Sequence, residues 1–317
     1  MVDAARRSIE HGSKSFAAAS KLFDPVTRER AWLLYSWCRA CDDLADGQDG
    51  GGARAVVLDA PARLGRMQAL TDAALGGEAT GEAPFDALGL VAAEVGMPRA
   101  FIDAHIAGFA LDAADWRPES EDDLLRYCFH VAGAVGLMMA VVMGVPPSDD
   151  ETLDRACDLG LAFQLANIAR DVAEDAAVGR CYLPREWLRA ERLDPAGLMD
   201  DRARPALARL TGRVATMAER YEASARVGAA RLPFRARWAV LAAAGIYGDI
   251  ARKVAADPLR ALAERTVTSK AAKAGWVARA WSQAVINRPA ANGRAGLWTR
   301  PKRELSRHAA LVDPLHG

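Results

Sequence analysis

The stretch Asn167–Asp175, NIARDVAED, lies in an alanine- and leucine-rich run yet places a polar group at every fourth position: Asn167, Asp171 and Asp175. Four residues of α-helix advance about 6 Å and turn only ~40° from the starting face. The three side chains therefore share one face, with Gln164 one turn earlier on the same side. Ile168, Ala169, Val172 and Ala173 between them can pack the helix. This is a core helix with one charged stripe, and the surrounding chain fits it. Upstream, SDDE at Ser148–Glu151 has the form of a capping box, a start signal. From there apolar positions continue through Leu153, Leu159, Phe163, Leu165, Ile168 and Val172 to about Ala177, before Gly179.

A second strong start is Asp24-Pro25, an acid at the cap and proline at the first helical position. The helix it opens runs to Gly47 and the GQDGGG breaker. No alternating strand pattern and no fixed-period repeat is evident. The segment Val131–Pro147, VAGAVGLMMAVVMGVPP, is uncharged and just reaches the lower limit for a membrane span. It holds Gly133, Gly136 and Gly144, ends in two prolines and lacks basic anchors, so it reads as a buried helix packed closely or lining an apolar cavity. The fold class expected is a single all-α domain of long helices.

At 317 residues and 51% hydrophobic content the chain can bury a large core. Its zero formal net charge gives no support to nucleic-acid binding, which normally shows a basic surplus. Five cysteines (Cys38, Cys41, Cys128, Cys157, Cys181) are an odd count without framework spacing, and MVDAARRSIEHGSKSF lacks the apolar core of a secretory signal. Both favour a reduced, cytoplasmic compartment. The CxxC of Cys38 and Cys41 has no second pair at zinc spacing and reads as coincidence on a helix.

The opening stripe has a counterpart. CDDLAD closes the helix that starts at Pro25, and Asp42 and Asp46 again stand four apart on one face, near a helix C-terminus where negative charge is disfavoured. Like charges at this spacing repel, and burying them unpaired would cost more. One resolution is a solvated face paired with arginines, and Arg39 and Arg170 lie beside the two motifs. The other is a divalent cation: Mg²⁺ takes oxygen ligands, keeps several waters and bridges carboxylates to phosphates. Two such pairs, with Asn167 adding an amide oxygen, favour the cation.

Seven blocks in order carry a resemblance. GSKSF (Gly12–Phe16), YSWCRACDD (Tyr35–Asp43) running into DDLAD, YCFHVAGAVG (Tyr127–Gly136), NIARDVAED, GRCYLP (Gly179–Pro184), IYGDIARKV (Ile246–Val254) and RTVTSKAAK (Arg265–Lys273) together resemble the squalene/phytoene synthase family over about residues 11–273, and most of all its bacterial phytoene-forming members. The resemblance implies an isoprenoid-synthase helical bundle around a deep apolar central cavity. It implies that Asp42, Asp46, Asn167, Asp171 and Asp175, with Asp43 as helper, hold two or three Mg²⁺ ions, Mn²⁺ being the alternative. Lys14, Tyr35, Arg39, Arg170, Arg180, Tyr247, Arg265 and Lys270 match diphosphate-contacting positions, and Phe16, Tyr127, Val131, Gly133 and Gln164 match cavity positions. The implied catalytic set is Asp42, Asp46, Asp171, Asp175, Tyr35 and Arg39. The implied reaction joins two geranylgeranyl diphosphates through a cyclopropyl diphosphate, with a downstream carotenoid desaturase as a candidate partner. Shorter C15 substrates, or a non-catalytic assembly role, are the rival readings. Many relatives have tyrosine where this chain has Phe129, so a hydroxyl is expected to be missing from the cavity wall. His130 reads as a satisfied core histidine.

The catalytic domain is expected over residues 1–278 and a tail over 279–317. The tail carries Arg279, Arg288, Arg294, Arg300, Lys302, Arg303 and Arg307 with Trp281 and Trp298 interspersed. A basic, tryptophan-bearing tail suits either disorder or peripheral contact at the inner face of the cytoplasmic membrane.

Overall fold

The computed structural model describes residues 1–47, 59–287, 293–302 and 305, without the side chains of Lys14 and Ser15. Among the described residues it is helical throughout, with no strand. The helices are α1 (Val2–Gly12), α2 (Lys14–Ser20), α3 (Pro25–Asp46), α4 (Ala60–Leu75), α5 (Ala83–Val95), α6 (Arg99–Ala113), α7 (Glu121–Cys128), α8 (Ala134–Val142), α9 (Asp150–Ala177), α10 (Arg185–Ala190), α11 (Arg204–Ala229), α12 (Phe234–Ala256), α13 (Pro258–Ala263) and α14 (Lys270–Ile286).

Local chemistry sets the ends of the two acid-bearing helices. The Asp24 carboxylate accepts the Thr27 N–H at 3.0 Å to open α3, and Gly47, at φ +67°, closes it in the left-handed conformation a glycine adopts without strain. The start of α9 differs from the capping box expected at Ser148. Asp149 is the cap, accepting from the Thr152 N–H at 3.1 Å and from its hydroxyl at 2.7 Å. A carboxylate one residue on thus takes the role that the Ser148 hydroxyl was expected to fill.

At 28 residues α9 is about 42 Å long, and it is the axis of the bundle. It packs on α11, α8 and α12, burying Leu153, Leu161, Leu165, Ile168 and Val172. The apolar segment from Val131 is one wall of the same core, mostly buried against α9 and α6. Between α7 and α8 the chain makes a π-helical turn, Phe129–Gly133, where the Ala134 N–H donates to the Phe129 carbonyl. Small residues let the two helices meet backbone to backbone. A Cβ added at Gly136 would lie 2.4 Å from the Ala156 oxygen, and one at Gly160 2.3 Å from the Ala132 oxygen. The five cysteines are free.

The boundary expected at residue 279 falls inside α14, which continues to Ile286, with the Arg279 guanidinium 5.3 Å from the Trp276 ring. Arg294 and Arg300 do not trail in solvent either. They pair with Asp158 and Asp154 on α9, because burying those carboxylates demands cations. Arg288, Arg303 and Arg307 lie outside the described residues.

Candidate functional site

The acids of α3 and α9 meet across one opening. Asp42 and Asp46 from α3 and Asn167, Asp171 and Asp175 from α9 all line a cavity of about 530 Å³. Arg39, Arg170, Arg180 and Gln164 line it as well. The acid row of each helix thus faces the other's across the cavity.

Arginines hold most of these carboxylates. Arg39 Nη2 donates to Asp43 at 2.5 Å, and Arg170 Nε to Asp171 at 2.6 Å. Arg265 reaches Asp171 at 3.1 Å and Glu174 at 3.1 Å, and Arg180 lies 3.9 Å from Asp46. Asp42 is different: it makes no hydrogen bond or ion pair with a described residue. Asp42 is exposed to the cavity, yet the protein packed around that cavity desolvates its carboxyl and pushes it up to about 7. Arg39 opposes the rise, while Asp46, Asp43 and Asp112 add to it. Among the described residues, no three acidic, cysteine or histidine side chains converge into a cage that could hold a metal unaided. The donors are all oxygens, spread around an opening and partly engaged by arginines. Such a set fits Mg²⁺, which takes phosphate oxygens and waters to complete its shell, and does not fit zinc.

Behind the opening lies a larger, mostly apolar cavity of about 710 Å³, sharing Arg39, Asp42, Val131, Gln164, Asn167 and Arg170 with the first. Along α9 it is lined by Thr152, Ala156, Leu159, Phe163 and Asn167. Fifteen residues of helix separate Thr152 from Asn167, so the cavity runs about 22 Å along this wall. Val131, Val135, Gly136 and Met139 form the facing wall. Phe16 and Tyr35 line it with ring centroids 5.7 Å apart, and Tyr247 stacks on Phe163 at 4.2 Å. Burial pushes the Tyr35 hydroxyl up to about 12, so it stays a neutral donor. The Tyr247 hydroxyl lies 3.4 Å from Ser13 Oγ, and Arg265 completes this side.

Several expected positions stand elsewhere. Gly133 is a packing glycine rather than a cavity residue: a Cβ there would lie 2.8 Å from Leu161 and 3.0 Å from Cys157. Phe129 points out of the cavity, its ring 5.8 Å from that of Trp298, so a hydroxyl at this position would not reach the wall. Both stand two residues from Val131, about 200° around the helix, and so face away from the cavity that Val131 lines. Tyr127 belongs to the polar opening rather than the apolar wall, with its hydroxyl 3.1 Å from Asp112 and its ring stacked on Tyr182 at 5.0 Å. Lys270 is exposed in the first turn of α14 and lines neither lobe. The Lys14 side chain lies outside the described residues. His130 is half-buried rather than in the core, with its Nδ1 2.8 Å from the Ala104 carbonyl oxygen.

Sequence reading missed Asp112, Tyr182 and His105, which also line the opening. Tyr182 sits inside the quoted GRCYLP block and was open to discovery there. Asp112 and His105 are isolated polar residues on α6, a helix with no repeating polar pattern to mark them.

A family model described as squalene/phytoene synthase matches residues 9–272. The phytoene synthase of Pseudescherichia vulneris is 47% identical over 311 residues, covering 95% of this chain and 98% of that one. The 15-cis-phytoene synthase of a Paracoccus species is 48% identical over 300 residues, covering 93% and 96%. Among solved structures, a dehydrosqualene synthase in complex with ligand superposes with a TM-score of 0.78 at 26% identity, covering 89% of this chain and 95% of that one.

Proposed function

The chain belongs to the squalene/phytoene synthase family, and we propose from that premise that its acidic opening and apolar cavity join two geranylgeranyl diphosphates head to head. The activity is that of a phytoene synthase, a prenyltransferase of carotenoid biosynthesis acting on isoprenyl diphosphates. The observation carrying the proposal is the placement of two acid rows at the mouth of a 22 Å apolar cavity. A 16-carbon prenyl main chain with bonds of ~1.5 Å spans about 20 Å, which supports C20 over C15 substrates.

Asp42, Asp46, Asn167, Asp171 and Asp175 would hold Mg²⁺, or Mn²⁺ in its place, with Asp43 released from Arg39 as a further ligand. Two or three ions suit two diphosphates. When bound, the metal neutralises diphosphate charge and as a Lewis acid favours its departure. The protein's own part begins with the arginines. Arg170 and Arg265 share Asp171, and a diphosphate entering between them competes for the same donors. Arg39 and Arg180 are drawn in from the α3 side. Charge-assisted hydrogen bonds strengthen as the C1–O bond breaks and its electron pair leaves with the diphosphate. Tyr35 presents a neutral hydroxyl donor to the apolar cavity, and the side chain of Tyr247 lines the same cavity. The double bond of the second substrate then attacks C1, and a proton leaves C1 for the released diphosphate as the three-membered ring closes, giving the cyclopropyl diphosphate. Its ionisation, rearrangement and loss of a proton give phytoene without reduction. The wall of Val131, Val135 and Met139 excludes the water that would capture these cations.

Incubation with C20 or C15 diphosphates and Mg²⁺, with products read by mass, tests this. C40 phytoene from the C20 substrate is expected; a preference for the C15 substrate would move the assignment to squalene or diapophytoene synthesis. Asp42→Ala and Asp171→Ala are each expected to abolish product while leaving the helical signal intact, and folded variants of both that retain activity would sink the metal assignment. An assembly factor without catalysis is disfavoured because all five principal acid and amide ligands are present.

The proposal extends to place: a cytoplasmic protein delivering a C40 hydrocarbon to the membrane, and to a carotenoid desaturase there. The outer face of α14 supports contact with an anionic bilayer, since Trp281, Val285 and Ile286 are exposed beside Arg279. Co-sedimentation with anionic vesicles should fall in Trp281→Glu and Ile286→Glu.

A further inference from the structure

The long helix α9 carries a second acid row, Asp150, Asp154 and Asp158, also four residues apart. Nine residues separate Asp158 from Asn167, a rotation of ~900°, so the two rows face opposite sides of the helix. The outer row is met by the chain's own segment 293–302. Arg294 grips Asp158 bidentately, Nε to Oδ2 at 2.7 Å and Nη2 to Oδ1 at 2.7 Å. Arg300 Nε donates to Asp154 at 2.8 Å, and Lys302 lies 2.9 Å from the same carboxylate. Asp158 is wholly buried and Arg300 nearly so.

Between these cations sits Trp298. Its backbone N–H donates to the Tyr221 hydroxyl at 3.1 Å and its indole N–H to Asp122 at 2.8 Å, while its carbonyl accepts from Arg294 Nη2 at 3.0 Å. The Trp298 ring lies against Phe129, the first residue of the π-turn. Two and three residues further on, Val131 and Ala132 form the cavity wall. The wall is thus one helix thick, with segment 293–302 behind it. It is also supported by α6, whose Gly108 lies close against Val131, and by α9, whose Gly160 approaches Ala132 backbone to backbone. Buried ion pairs add little net stability, since desolvation offsets attraction, but they do fix register.

We infer that Arg294 and Trp298 are positioning residues for prenyl transfer: through Asp158 on α9 and Phe129 in the π-turn they hold the wall at Val131 and Ala132 closed against water. The inference rests on the function proposed above. When the wall loosens, water adds its oxygen to the C1 cation, a C–O bond forms, and a proton passes to solvent. The product is then a prenyl or cyclopropyl alcohol instead of phytoene.

The test measures the alcohol-to-phytoene ratio from the C20 diphosphate with Mg²⁺, a quantity independent of how much enzyme is folded. Arg294→Ala and Trp298→Ala should each raise the ratio roughly tenfold. Arg294→Lys, which keeps one charged donor, should restore most of it. The double variant Asp158→Asn with Arg294→Ala removes the stranded buried charge, so it should regain thermal stability while keeping the raised ratio. A wild-type ratio in both single alanine variants, or its return in the double variant, overturns the inference. A wild-type enzyme forming no C40 hydrocarbon would overturn the parent reading and this inference with it.

Discussion

Replacing glycine by alanine should have opposite effects at two helical positions, and the contrast measures how closely α9 meets the cavity wall. Within a helix the change gains about 1 kcal/mol from reduced chain entropy and better propensity. At Gly65, on α4, an added Cβ meets nothing within 4 Å, so the gain stands alone. At Gly160 the Cβ would lie 2.3 Å from the Ala132 oxygen, 2.6 Å from its carbonyl carbon and 2.7 Å from the Gly133 Cα. These are backbone atoms, which no rotamer change can move aside. Overpacking typically costs about 1–3 kcal/mol, and a backbone clash belongs at the upper end, leaving Gly160→Ala about 2 kcal/mol less stable overall. With an unfolding entropy of ~2.1 cal/mol/K per residue, 317 residues convert 1 kcal/mol into about 1.5 °C of Tm. Calorimetry should therefore find Gly65→Ala raised by about 1.5 °C and Gly160→Ala lowered by about 3 °C. A Gly160→Ala protein as stable as Gly65→Ala would refute the backbone contact, and with it the route from α9 to the wall.

Acid should weaken the fold through His105. Burial lowers its imidazole from 6.5 to about 4, and its neighbours are the rings of Trp37 and Phe109. The unfolded chain takes up this proton first, so the stability present above pH 6.5 declines as pH falls toward 4. Between pH 7 and 5 the loss is about 2 kcal/mol. Urea titrations should show this slope flattened in His105→Gln, and an unchanged slope would remove His105 as its source. Chelation of divalent ions should abolish prenyl transfer, with Mg²⁺ restoring it and Ca²⁺ failing to; activity persisting in chelator would contradict the proposed ligand set. Ala239 lines the cavity on α12, two turns and so about 12 Å from Tyr247. Ala239→Phe should shorten the space and lower kcat/KM for the C20 substrate by roughly tenfold or more relative to the C15 substrate.

The features legible in the sequence are those written in local spacing. Asp24-Pro25 and Gly47 bound α3 because caps and a left-handed glycine act within one turn of the chain. The four-residue rhythm of Asp42–Asp46 and of Asn167–Asp175 places each row on one helical face whatever lies beyond. Even local signals slip when neighbours compete, as Asp149 takes the cap from Ser148. The tertiary structure decided which faces meet and what fills the space between. It set the acid rows opposite each other, gave the cavity its 22 Å reach, and inserted at Phe129–Gly133 a π-turn that no composition signals. It also reassigned the basic C-terminal residues. Arg294 and Asp158 are 136 positions apart, and nothing in either neighbourhood announces the other. Helix periodicity is a property of adjacent residues, whereas cavity volume and the pairing of buried charge depend on how whole helices pack.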